Sequence, residues 1–420
     1  MSQDSIADTA QAPPAAPAAR GTAFAPGSPE RKRATRLPTL TGLRGPAALL
    51  VFFTHASMPF VSLRLLSDDK VEHGFYRVMA QVAGLAMPFW FMLSGFILVW
   101  SFREKDSVKA FWRRRYVKIV PPYLVGWLLA MVAVPRWPAT TPTQGILSFF
   151  LLQSWVPDTT TYFSVNNVGW SLSTEAFFYV CFPLLYFVFR RIPAQRINLW
   201  LLGNIALIVA VPLVTYAVIP VGTAVVPNEP AHSANYFWFE YVFPPSRLLD
   251  FALGMLVARS VVLGRWRNIG MVWSGLLVLA SYVAANFAPY PWALRVVCVV
   301  PAALLVAAGA LADAEGRRSV FSNRAMVWFG EVSFAFYLVH YTVIEVVRSA
   351  LGTRLFSTPV SFALMAAEFG ISLLLAWALY CFVEVPVTRR WSSSRKARAA
   401  RAAAAPPPAE ALAGAPGIGA

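Results

Sequence analysis

The chain has 420 residues, of which 57% are hydrophobic and only 13% charged, and its mean hydropathy is +0.55. Soluble domains carry about 25% charged residues, so this composition excludes an ordinary soluble fold and places the chain in a membrane. The net charge of +16 is dispersed among the segments between apolar runs. Nucleic-acid binders gather such charge on one soluble face, so nucleic acid is excluded as a partner and membrane lipids are expected.

Residues 1–36 are rich in Ala and Pro, lack the apolar core of a secretory signal and end in a basic run from Arg31 to Arg36. They read as a disordered cytoplasmic tail with a membrane-proximal clamp. Apolar runs then recur at about 41–60, 79–101, 119–135, 168–189, 197–218, 238–258, 269–287, 293–312, 327–347 and 359–383. Each approaches the ~20 residues needed to cross a bilayer. The stretch from Gly145 to Gln153 is apolar but too short, and reads as re-entrant or interfacial. Residues 392–420 return to Ala and Pro and read as a second disordered tail.

The basic residues orient these runs. With the N-terminus inside, 27 of the 36 Lys and Arg fall in cytoplasmic segments and only 6 on the other side, the bias that sets orientation. The expectation is an all-α polytopic membrane protein of about ten transmembrane helices, with N- and C-termini cytoplasmic and a membrane domain over 37–391. It is expected in a bacterial cytoplasmic (inner) membrane. The three cysteines, Cys181, Cys298 and Cys381, lie inside apolar runs without paired spacing. They suit core packing rather than disulfides or a metal site, and no metal is expected.

The first span carries two groups foreign to lipid, Arg44 and His55. Their separation of 11 residues is three helical turns plus roughly 20°, so they share a face about 16 Å apart. Intramembrane ionisable groups face a bundle interior or a wet cavity, and the pair reads as two ends of a polar slot. The segment before the third span is the most basic of the chain, and its Arg115 and Lys118 share a helical face. It is either a topology signal or a phosphate site. In the fourth span Ser171, Glu175 and Tyr179 are spaced by four and form a polar stripe. Glu175 is either a structural partner of an arginine or a group that orients or charge-balances a histidine. Arg247 and Asp250 are spaced for an ion pair, an alternative to ligand contact. His340 is either a structural histidine or part of the site, and His73 and His232 lie in outer loops. No HExxH, GxSxG or P-loop pattern organises the spans.

These residues fall in motifs that resemble, in order, the acyltransferase-3 family of integral membrane O-acyltransferases. They are Arg44-x10-His55, Phe91–Phe96, Arg115-x-x-Lys118-Ile119-x-Pro121-x-Tyr123, Trp170-Ser171-Leu172-x-x-Glu175, Arg247-x-x-x-Phe251-x-x-Gly254, Ser333-x-x-x-Tyr337-Leu338-x-His340 and Glu384-x-Pro386-x-Thr388-Arg389. The resemblance implies acyl transfer, usually of acetyl from acetyl-CoA, to a hydroxyl of an envelope glycan, a lipid or a secondary metabolite. Lys118 stands where the family often has a second Arg, which keeps the charge but loses the bidentate fork. The C-terminal SGNH-type domain of some relatives is not in this sequence.

On that reading His55 is the general base, or a nucleophile carrying the acyl group transiently, with Glu175 as its orienter. Arg44, Arg115, Lys118 and Tyr123 would hold the acyl-CoA donor. Trp170, Ser173, Arg247 and His340 would meet a glycan or lipid-linked acceptor. Two rival classes are a proton-coupled transporter using Arg44, His55 and Glu175 as a relay, and a non-catalytic binding scaffold.

Overall fold

The computed structural model describes residues 36–58, 63–102, 107–134, 140–223 and 233–391. The expected tails at 1–35 and 392–420, and His232, lie outside these residues. The fold is all-helical, and each of the ten expected spans contains a helix. They are α1 (Pro38–Ala56), α3 (Val82–Ser101), α4 (Val108–Ala133), α6 (Gly169–Phe189), α7 (Ile197–Val218), α8 (Pro244–Val262), α9 (Gly270–Ala285), α10 (Val296–Ala314), α11 (Arg324–Leu351) and α12 (Thr358–Leu379); α2 (Asp69–Ala80), α5 (Pro142–Phe149) and the short helical pieces Thr159–Tyr162, Ala234–Phe237, Tyr290–Ala293 and Val385–Trp391 make up the rest of the α-helices among the described residues. Among the described residues seven helical stretches are long and apolar enough to cross a membrane, and α1, α8 and α9 are not among those seven.

Local chemistry accounts for the helix starts. Proline opens α1, α5, α8 and α12, where its missing N–H is no loss and its φ is already helical. Asp68 begins α2 by accepting from the amides of Lys70 and Val71, and Arg64 pairs with Glu72 at 2.9 Å across the same turn. That helix forms in the outer connection between the first two apolar runs. The Gly145–Gln153 stretch forms α5 and a single 3-10 turn, Gln153–Trp155. Thr141 and Gln144 close a reciprocal cap at the start of α5.

Outward-facing residues such as Leu184, Leu202, Val272 and Leu374 are exposed and apolar, as a lipid-facing surface requires. Inside, two apolar cores form. One gathers α3, α6, α8 and α10 around Phe96, Phe178, Phe251 and Met255. The other gathers α1, α11 and α12 around Phe52, Phe336, Ile344 and Met365. Trp90, Tyr179 and Tyr337 pack against both and mark the seam between them.

Glycine sets the tightest crossing. A Cβ on Gly330 would lie 1.8 Å from the carbonyl oxygen of Thr41, so α1 and α11 touch backbone to backbone there. From that point the two helices run side by side in the same direction. Gly45 meets Phe329, Phe52 meets Phe336, and His55 meets His340.

Both ends of α1 are held by charge. The carboxylate of Asp313, at the end of α10, accepts from the single amide of Thr39 through both oxygens, at 3.0 and 2.9 Å, satisfying an orphan donor of the first turn. At the other end Arg348 donates to the carbonyl of Ala56 at 3.2 Å. The same guanidinium pairs with Glu368 of α12 through Nε at 3.0 Å, and both groups are buried.

Candidate active site

A cavity opens along the seam between the cores. Its polar lining comes from Arg44 of α1, Ser94 of α3, Arg115 and Lys118 of α4, Ser171, Glu175 and Tyr179 of α6, and Ser333 and Tyr337 of α11. Ser171, Glu175 and Tyr179 line it together because four-residue steps return to one helical face. Ser333 and Tyr337 do so for the same reason.

Three cations dominate one part of the lining. Arg44 lies over the indole of Trp90, 5.3 Å from the ring centroid, a cation–π contact that fixes it in an apolar wall. Arg115 stacks near Phe111 at 5.7 Å, and its buried Nε has no hydrogen-bond partner among the described residues. Opposing charge comes from Glu175 and Glu384, both close enough to act on Arg44 and Lys118. Glu384 sits on a π-helical turn, Tyr380–Glu384, that extends α12, and its buried Oε2 is likewise without a partner. Its motif was visible in the sequence, but its place beside Arg44 was not, because the two are 340 residues apart.

Glu175 is held within the cavity. It accepts from the Ser94 hydroxyl at 2.8 Å and from the Tyr179 hydroxyl. His55 is bonded elsewhere: its Nδ1 lies 2.8 Å from Nε2 of His340. Glu175, expected to orient or charge-balance His55, makes its hydrogen bonds to Ser94 and Tyr179. The partner of His55 is a second imidazole that meets it edge to edge, with ring centroids 5.1 Å apart and planes 24° from parallel. His55 is half-buried and His340 fully buried. Tyr341 packs edge-on against His55 at 5.1 Å.

The histidines lie beyond the cavity lining and are joined to it through Tyr337. The ring of Tyr337 is 5.7 Å from that of His340, and its hydroxyl is 2.7 Å from Ser171 Oγ. Arg44 and His55 thus stand on one helix, with the cavity at the first and the histidine pair at the second.

Several expected contacts are taken up by the protein itself and do not reach the cavity. Tyr123 is buried and donates to the carbonyl of Ser148 at 2.5 Å. Ser173 donates to the carbonyl of Leu151 at 2.6 Å. Trp170 packs against Tyr241 at 5.0 Å. Arg247 forms the ion pair with Asp250 that its spacing allowed, at 3.2 Å with both side chains wholly buried. Arg295, in the turn that precedes α10, reaches the same carboxylate at 2.9 Å, a third member 45 positions away that local spacing could not supply.

Fold and site define a multi-pass helical membrane protein with a cation-rich internal cavity and a paired intramembrane histidine. A family model described as "Acyltransferase domain" matches residues 37–381, and the chain belongs to this acyltransferase-3 family. It is 37% identical over 368 residues to acyltransferase MdmB of Streptomyces mycarofaciens, covering 85% of this chain and 93% of that one. It is also 22% identical over 395 residues to peptidoglycan O-acetyltransferase OatA of Listeria monocytogenes, covering 85% of this chain but 57% of the relative. No solved structure matches. The protein is accordingly an O-acyltransferase, and family membership disposes of the transporter and scaffold alternatives.

Proposed function

We propose that the protein transfers an acetyl group from acetyl-CoA to a hydroxyl of a cell-envelope or exported glycan, glycolipid or secondary metabolite. The observation that carries the donor assignment is the convergence of Arg44, Arg115 and Lys118 on one cavity. The buried Nε of Arg115, with no hydrogen-bond partner among the described residues, fits a site built for phosphate oxygens, since charged donors left unmatched in a low dielectric are costly. Acetyl-CoA brings the acyl group in activated thioester form. The three cations hold its phosphates, Trp90 and Tyr337 wall the route toward α11, and His55 takes the acceptor's proton. Glu175 and Glu384 keep the cation cluster charge-balanced before the donor arrives.

The reading includes ten membrane passes, both termini cytoplasmic, in a bacterial cytoplasmic membrane. The contacts between helix ends support it, because each joins segments assigned to one side. Asp313 meets Thr39 and Arg259 meets the carbonyl of Arg190 on the inner side. On the outer side the amide of Phe356 bonds the carbonyl of Leu65, and Tyr282 reaches the carbonyl of Val78. The parallel course of α1 and α11, both odd-numbered spans, agrees with the same count.

Purified protein incubated with radiolabelled acetyl-CoA and an envelope extract tests the function. Label should pass to an acceptor, and His55→Ala should abolish transfer while leaving donor binding near normal. Full transfer by a well-folded His55→Ala protein would sink the base assignment. A reporter fused after Arg389 that is active only outside the cytoplasm should stay silent, and activity there would remove the ten-pass topology.

A further inference from the structure

We propose that His340 is a positioning residue that fixes the tautomer of His55, presenting the lone pair of His55 at Nε2 to the reacting hydroxyl. The inference rests on the acyl-transfer reading and adds to it which nitrogen acts and what holds it.

The argument is one of hydrogen-bond bookkeeping. Nδ1 of His340 lies 2.9 Å from the carbonyl oxygen of Tyr337 and 3.2 Å from that of Phe336. Carbonyl oxygens only accept, so Nδ1 of His340 carries the hydrogen. In the neutral ring Nε2 then holds a lone pair. That nitrogen lies 2.8 Å from Nδ1 of His55, and a lone pair there requires a hydrogen on His55 Nδ1. The remaining nitrogen of His55, Nε2, is left as the acceptor. Backbone carbonyls of α11 thereby set the state of a ring on α1, through one buried imidazole.

Packing prevents the alternative. His340 is 0% exposed and stacks on Phe336 at 5.5 Å with an interplanar angle of 6°, so its ring cannot turn over without displacing that contact. His55 is less completely buried than its partner. Among the described residues the hydrogen-bond partner of His55 is His340, and Glu175 is engaged with Ser94 and Tyr179.

The step balances with this assignment. The acceptor's O–H proton passes to Nε2 of His55 as the oxygen–acyl carbon bond forms. The thioester carbon–sulfur bond breaks, and the proton then leaves Nε2 for the departing thiolate. During the step His55 is an imidazolium, and its Nδ1–H donates more strongly to the waiting lone pair of His340. His340 touches neither substrate; it acts through His55.

Nitrogen-15 NMR of the full-length protein, ring-labelled at its four histidines, tests the tautomer without reference to activity. His55 and His340, assigned by loss of signal in His55→Ala and His340→Leu, should both carry hydrogen on Nδ1 and none on Nε2. Protonation of His55 at Nε2 in the wild type would overturn the inference. Kinetics supply the second arm. His340→Leu should lower kcat by roughly 10–100-fold, a share of the ~10²–10⁴ that a positioned base contributes, with KM for acetyl-CoA unchanged. His340→Gln, whose amide oxygen can accept from Nδ1, should recover at least part of the loss. If transfer requires His55 but His340→Leu turns over normally, this inference fails alone. If transfer does not require His55, the functional reading fails, while the spectrum still reports the pairing.

Discussion

The hydroxyl of Tyr337 lies 2.7 Å from Ser171 Oγ, while its backbone carbonyl accepts from His340. One residue thus touches the cavity through its side chain and the histidine pair through its main chain. Removing only the hydroxyl, in Tyr337→Phe, keeps the ring against His340 and the carbonyl in place. The expected result is a several-fold loss of turnover with stability reduced by about 1 kcal/mol, the net worth of one hydrogen bond. Ser171→Ala should do the same, and the double variant should be little worse than either single one. Additive losses in a double-mutant cycle would show that the two hydroxyls act separately.

The cation cluster predicts a separation of donor binding from chemistry. Arg115→Ala should weaken acetyl-CoA binding by about 1.5–3 kcal/mol, the range for a hydrogen bond to a charged group, which is roughly 10–150-fold in Kd. Lys118→Arg should be tolerated or bind more tightly, because the fork restores bidentate contact with phosphate. Isothermal titration with acetyl-CoA checks both. An unchanged Kd in Arg115→Ala would leave the basic segment as a topology signal alone.

Arg348 predicts the stability of the site. It bonds the last turn of α1 next to His55 and pairs with Glu368, both being buried. Truncation in Arg348→Ala leaves a buried carboxylate uncompensated, a cost of about 3–5 kcal/mol. The paired replacement Arg348→Met with Glu368→Leu should recover most of the stability, since well-packed apolar residues can replace a buried ion pair. Thermal unfolding in detergent separates the outcomes, and a double variant as unstable as Arg348→Ala would contradict the charge argument.

Much of this was legible in the sequence, for identifiable reasons. Helix period alone put Ser171, Glu175 and Tyr179 on one face, and they do line one cavity. The charge of Arg44, Arg115 and Lys118 marked them in apolar surroundings, and they converge. What was not legible depended on contacts between distant helices. The imidazole beside His55 lies 285 positions along the chain, and no local pattern distinguishes it from a carboxylate partner. Ser173 and Tyr123 are polar, but the carbonyls of Leu151, just past α5, and of Ser148, in its last turn, consume their hydroxyls. The start of α2 is written in Asp68 and its acidic first turn, but a short polar helix adds nothing to the apolar periodicity that marks the spans.

The crossing of α1 and α11 supplies the last prediction. The histidine pair exists only because these helices approach closely enough for imidazole to meet imidazole. Gly330 sets that approach, since a Cβ there would stand 1.8 Å from the Thr41 carbonyl oxygen, and a backbone atom cannot swing aside as a flexible side chain can. Gly330→Ala should force the helices apart, costing about 1–3 kcal/mol or more of stability for overpacking. It should also lengthen the His55–His340 bond and so reduce turnover beyond what the lost stability explains. Gly370 of α12 is the matched control: a Cβ there meets nothing within 4 Å. Gly370→Ala should be neutral or stabilise its helix by about 0.5–1 kcal/mol, with acyl transfer unchanged. Thermal unfolding and transfer rates measured on both variants below their unfolding temperatures decide the matter. Equal behaviour of the two alanine variants would mean that the crossing is not what brings the histidines together.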